Sequence, residues 1–188
     1  LRHFRIENSK TAEINEQIKN IQLLFNKSLY KQSRKILNQI KEDAYKYELF
    51  YYILEIIDLE KVVIDMEAHF GQVTYVTIEK LIEEENEIYK KIEQLTHFEK
   101  LLSLLNKLST KLLFVRTKAD VAEIEKIAKD QALNEAVNIN SKKAFITSLH
   151  VKGLMARLLN KTDEMFDAFQ SLVYAMENNP SLISELPK

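Results

Sequence analysis

In 188 residues the chain carries only two glycines, Gly71 and Gly153, and two prolines, Pro180 and Pro187. Sheet folds turn every few residues, and their tight turns draw on glycine, proline and the positive-φ conformations that glycine permits. A chain this poor in both has little from which to build hairpins, so helices are expected throughout. Apolar residues make up 46% and charged residues 29%, which suits a packed core with a solvated surface and argues against disorder. The expected fold class is all-α.

The clearest organisation lies in residues 141–180, SKKAFITSLHVKGLMARLLNKTDEMFDAFQSLVYAMENNP. Phe145, Ser148, Val151, Met155, Leu158 and Leu159 recur three or four apart and so share one helix face. Lys142, Lys143, Lys152 and Arg157 fall largely outside it. Asn160-Lys161-Thr162-Asp163 offers short polar side chains that bond freed backbone groups and start a new helix. Phe166, Phe169, Leu172, Val173 and Met176 make a second stripe, and Asn178-Asn179-Pro180 ends it, because proline disfavours helical geometry in the residue before it. Ala156 and Ala168 flank the turn, where antiparallel helices must approach closely, and Ala175 lies two turns beyond Ala168.

With Pro180 following Ala175, this spacing resembles the tetratricopeptide repeat (TPR), whose signature has small residues at these relative positions and a proline after its second helix. The chain departs from that pattern at Lys152, where the family often has an aromatic, and at Leu159, where it has tyrosine. The resemblance implies a right-handed stack of antiparallel helical hairpins, a TPR-like α-α superhelix of about seven or eight helices. It also implies a non-catalytic scaffold that holds a protein or peptide in a groove lined by the first helix of each pair. Lys152 and Arg157 are then candidate contacts.

The opening of the chain is built like its close. Ile14, Ile18, Ile21, Leu24 and Phe25 form a helical stripe, Asn26-Lys27-Ser28 interrupts it, and Leu29-Tyr30 opens a second arm. There Ser33, Ile36, Leu37 and Ile40 face inward while Lys31, Arg34, Lys35 and Lys41 face water. Hairpins are expected at about 12–42, 44–95, 98–134 and 141–179, within a single helical-repeat domain spanning 1–188. Position 1 is leucine, so the expectation is part of a larger protein. Residues 44–70 read as one helix, apolar on more than one face and hence sandwiched between neighbours. No glycine or proline occurs from Thr77 to Phe114, which makes either one helix of roughly 55 Å or two that break near Thr96-His97. Glu83, Glu84, Glu85 and Glu87 line its polar side, with Glu87 four before Lys91 for local pairing.

Net charge is −1, from 27 basic and 28 acidic residues, so nothing global draws the chain to nucleic acid or a charged membrane. Cysteine is absent, which excludes disulfides and thiolate sites. No apolar run reaches the roughly 18 residues of a membrane span, LRHFRIENSK lacks a signal-peptide apolar core, and a cytoplasmic location is expected.

His3, His69, His97 and His150 each lack a second histidine at helical metal-site spacing. Glu93 and His97 share a face, but such pairs arise freely in charged helices. The carboxylates of Glu83 to Glu87 sit on a solvated face, the wrong setting for acid–base work. Serine and threonine lack the glycine-rich turns of nucleophile or phosphate motifs. No catalytic, cofactor-binding or metal site is therefore expected, nor an enzyme.

Tyr45, Phe50 and Tyr52 read as core between helices. Tyr47 and Tyr51, which partly reach solvent, join Lys152 and Arg157 as candidate partner-binding residues. The basic face of Lys27, Lys31, Arg34, Lys35 and Lys41 reads as solvated. Two other roles fit the pattern: a self-assembly domain that forms a homodimer through heptad-like leucines in 77–114, and a regulatory helical domain attached to a DNA-binding or catalytic region outside these residues.

Overall fold

The computed structural model describes residues 10–69, 75–111, 118–134 and 139–184. In chain order these form α1 (Lys10–Asn26), α2 (Tyr30–Lys46), α3 (Phe50–Ala68), α4 (Tyr75–Lys111), α5 (Lys118–Ala128), α6 (Gln131–Asn134), α7 (Lys142–Leu158), α8 (Thr162–Glu177) and α9 (Pro180–Ser184). Among the described residues there is no strand. The protein is all-α, and consecutive helices pack on one another. Gly71, Pro187 and the 77–114 stretch beyond Lys111 lie outside the described residues.

The chain divides into two compact units: Leu1–Lys90 with Ser181–Lys188, and Lys91–Pro180. The boundary falls inside α4. That helix runs unbroken for 37 residues, so there is no break at Thr96-His97 and the expected hairpins 44–95 and 98–134 share one helix. Good helix formers without proline or glycine sustain it.

Three helices end in the same way. Ser28 takes φ 57°, Glu48 φ 46° and Asn160 φ 57°, all in the left-handed region. In each case that residue's amide donates to the carbonyl three back, and the next amide donates to the carbonyl five back. The pairs are Ser28 to Phe25 and Leu29 to Leu24, both 2.9 Å; Glu48 to Tyr45 (3.1 Å) and Leu49 to Ala44 (2.9 Å); Asn160 to Arg157 (3.2 Å) and Lys161 to Ala156 (2.9 Å). This Schellman arrangement satisfies the last carbonyls through main chain alone. Leu29, Leu49 and Lys161 then hold φ of −91°, −87° and −90°, and a new helix begins without a side-chain cap. The turn at Asn160–Asp163 therefore works through backbone bonds rather than the expected short side chains. The start of α7 does use a side chain: Ser141 Oγ accepts from the Ala144 amide at 3.0 Å.

The turn at Glu48 divides the stretch 44–70 that reads as a single helix. α2 continues through Lys46 and α3 begins at Phe50. A glutamate in the left-handed region has no compositional signature, since that region is normally held by glycine or asparagine.

In the first unit α2 packs between α1 and α3. Ile14, Ile18 and Ile21 of α1 are buried with Ser33, Leu37, Ile40 and Ala44 of α2. Phe50, Ile53, Ile56, Ile57, Val63 and Ile64 of α3 are also buried, as are Leu81 and Ile88 of α4 and Leu182 of α9. Each fully buried isoleucine or leucine contributes about 1.5–3 kcal/mol of apolar transfer.

The second unit has its own core. Phe98, Leu101, Leu105 and Leu108 of α4 meet Ile124 and Ile127 of α5, Leu133 of α6, and Ala144, Val151, Leu154 and Leu158 of α7. α8 packs chiefly on α7. Gly153 permits this closeness: a Cβ there would lie 2.9 Å from the Phe169 ring. Ala156 and Ala175 are buried as well. The side chains of Asn178 and Asn179 donate to the carbonyls of Tyr174 and Ala175, both at 2.8 Å, and close the end of α8. Pro180 then opens α9, where its missing N–H costs nothing.

Candidate partner-binding surfaces

Tyr51 projects from the start of α3 and is 73% exposed. Tyr47 is half-buried in the turn before it, with the Lys46 ammonium 5.6 Å from its ring centroid. Lys152 and Arg157 are exposed on α7, and Arg157 Nη2 donates to Ser109 Oγ at 3.2 Å. The two tyrosines belong to the first unit and the two cations to the second. Of the other aromatics near residue 50, Phe50 is buried. Tyr45 and Tyr52 are half-buried with engaged hydroxyls: Tyr45 donates to Glu84, and Tyr52 accepts from Asn15 Nδ2 at 2.7 Å.

The basic face of α2 and the acidic run of α4 are not simply solvated. Lys27, Lys31 and Lys35 face water. Arg34, by contrast, holds Glu67 with two hydrogen bonds, at 2.5 and 3.1 Å. Lys41 bridges Glu60 at 2.6 Å and Glu84 at 2.9 Å, and Lys61 reaches Glu85 at 2.7 Å. Glu87 pairs with Lys90 at 2.6 Å. The expectation holds for Lys27, Lys31, Lys35, Glu83 and Glu87, which are exposed, and fails for Arg34, Lys41, Glu84 and Glu85, which lie between helices. A matched spacing foreshadows it: Arg34 and Lys41 are seven apart, as are their partners Glu67 and Glu60 in reverse order, the register of two antiparallel helices.

Burial alone would lower the Lys41 pKa, but its bonds to Glu60 and Glu84 outweigh that and hold it above the ordinary lysine value. Burial, aided by Glu84, pushes the Tyr45 hydroxyl up. Both shifts favour the protonated forms of Lys41 and Tyr45. Their hydrogen bonds join α2 to α3 and α4.

Among the described residues of its unit, α8 carries several large apolar side chains that stand exposed. Phe166 is 64% exposed, Val173 53% and Tyr174 70%, with Phe145 of α7 at 44%. Phe145, Phe166 and Val173 lie on the stripes read from sequence as core. The stripe is present, but only Ala175 of α8 is buried, because α7 covers one edge of it.

His97 Nε2 lies 3.0 Å from Asp130 Oδ1, which also accepts from the Ala132 amide at 3.0 Å, so the pair ties α4 to the start of α6. The His150 ring lies tilted against Phe169, with centroids 6.4 Å apart, and burial lowers its pKa. His69 is exposed, and His3 lies outside the described residues. Among the described residues no three His, Asp or Glu side chains are placed to hold a metal, and no helix is long and apolar enough to cross a membrane. A cleft of about 530 Å³ runs along α4, lined by Thr96, Glu99, Lys100, Ser103, Leu104 and Lys107. Glu99 and Lys100 are exposed. Compared with protein-family models, curated proteins and solved structures, the chain matches none.

Proposed function

We propose that the protein is a non-catalytic helical-repeat scaffold, similar to tetratricopeptide-repeat domains, that binds a protein or peptide partner. The observation that carries this reading is the one turn geometry repeated at Ser28, Glu48 and Asn160. It recurs where residues 141–180 have small-residue spacing like that of the repeat. A helix pair built this way covers only one side of each helix, and stacked pairs leave faces open for recognition. Tyr51, Lys152 and Arg157 stand in solvent, while Tyr47 is the least accessible of the four candidates.

Self-association through 77–114 has less to draw on. Leu101, Leu105 and Leu108 lie in the core of their own unit, and among the described residues of that helix the large exposed apolar side chains are Ile82, Tyr89 and Leu104. The test is photo-crosslinking in an extract of the native source. Benzoylphenylalanine is placed at Tyr51, Lys152 or Arg157, with exposed Lys19 and Lys90 as comparison positions. A discrete heterologous adduct at the candidate positions and none at the comparison positions supports the reading. Adducts only between copies of this chain, or none at all, would overturn it.

A further inference from the structure

The helix pairs α1–α2 and α7–α8 share a turn, so their second helices can be placed in register. Counted from the left-handed residue, Ser28 in one and Asn160 in the other, Ser33, Leu37, Ile40 and Ala44 of α2 correspond to Met165, Phe169, Leu172 and Met176 of α8. The four in α2 are 0%, 1%, 4% and 0% exposed, because α3 covers the side that α1 leaves open. The four in α8 are all only half-buried. In the same register Arg34 and Lys41 correspond to Phe166 and Val173. Arg34 and Lys41 are the side chains that reach Glu67 and Glu60 of α3. Phe166 and Val173 stand exposed. The second unit thus holds a place like the one α3 fills in the first, lined with apolar instead of charged side chains.

The charge around this face selects its occupant. α8 contains Asp163, Glu164, Asp167 and Glu177 and no lysine or arginine; Lys161, just before it, pairs with Glu164 at 2.8 Å, and Asp163, Asp167 and Glu177 set the charge along the rest of the helix. Glu177 lies one turn past Val173 and Asp163 one turn before Phe166, so carboxylates border the apolar strip at both ends. An acidic border repels an anionic lipid surface and attracts a cationic partner. We propose that α8 is the docking site for an amphipathic helix of a partner protein, with an apolar stripe flanked by lysine and arginine, seated as α3 is seated on α2. This rests on the scaffold reading above and names where and what the scaffold binds.

The four methionines, Met66, Met155, Met165 and Met176, make the test direct. The full chain is labelled at its methionine methyls and titrated with a synthetic helical peptide carrying leucine on one face and lysine on the other. The result expected is a saturable shift of the Met165 and Met176 signals, with Met66 on α3 unmoved and no shift from a leucine–glutamate peptide of the same pattern. The double variant Phe166→Lys, Val173→Lys changes only exposed positions and weakens binding by roughly tenfold or more. Equal shifts with both peptides, or no shift at Met165 and Met176, overturn the site. If adducts still form at Lys152 in that second case, the scaffold reading stands without it. Shifts that appear with protein concentration alone and vanish in the double variant would make the occupant a second copy, which also overturns the proposal.

Discussion

α2 and α8 leave the same backbone turn and carry apolar stripes at the same helical positions, yet one is sealed and the other is open. The difference lies in the helix that comes next. After α2 the turn at Glu48 folds α3 back onto it, and Arg34 and Lys41 fasten the two helices through Glu67 and Glu60. After α8 the asparagine-capped end and Pro180 lead into α9, and among the described residues no long helix folds back onto α8. A repeated local geometry therefore does not determine burial; the neighbour that arrives next does.

The comparison can be broken by paired substitutions. The largest expected effect is at the corresponding positions Leu37 and Phe169. Leu37→Ala should cost about 3 kcal/mol, as for a fully enclosed side chain, while Phe169→Ala, though it removes more atoms, should cost only about 1–2 kcal/mol because part of the ring already meets solvent. Urea denaturation of both variants checks this, and equal losses would mean that α8 is as enclosed as α2.

Next is the pair Lys41 and Val173. Lys41→Ala leaves the half-buried Glu60 and Glu84 without their shared cation and should cost about 2 kcal/mol. Val173→Lys, at the corresponding exposed position, should stay within about 0.5 kcal/mol. Thermal melts at neutral pH distinguish the two.

The turns themselves differ by smaller amounts. Glycine at Glu48 relieves a left-handed non-glycine residue and should stabilise by about 1 kcal/mol. Asn160→Gly should gain only a few tenths, since asparagine tolerates that conformation. Denaturant midpoints of the two variants should rank in that order.

The smallest effect is a pH dependence in the second unit. His150 is held below its ordinary pKa by burial, so the unfolded chain takes up its proton first as pH falls. Stability should therefore decline below about pH 6.5, and His150→Gln should flatten that part of the profile.

These predictions also mark what the sequence makes legible. Scarcity of glycine and proline points to helices, and their absence across α4 allows its full length. The break at Asn26–Ser28, the α7–α8 hairpin and the proline stop are visible in spacing. The Glu48 turn is not, because a Schellman stop is a main-chain arrangement that Ser, Glu and Asn each adopt here with no common side-chain chemistry. Nor does periodicity report what covers a face: Phe145, Phe166 and Val173 lie on apolar stripes and stand in water. The network of Lys41, Glu60 and Glu84 is hidden for the complementary reason, since charged residues on a polar face become partly buried when another helix meets them.

The central claim, that α8 lacks the covering helix α2 has, is tested most directly by amide hydrogen exchange on the full chain, with each helix compared inside its own unit. The result expected is that α2 exchanges no faster than α1, while α8 exchanges faster than α7 by roughly tenfold or more. Protection of α8 equal to that of α7 would contradict it.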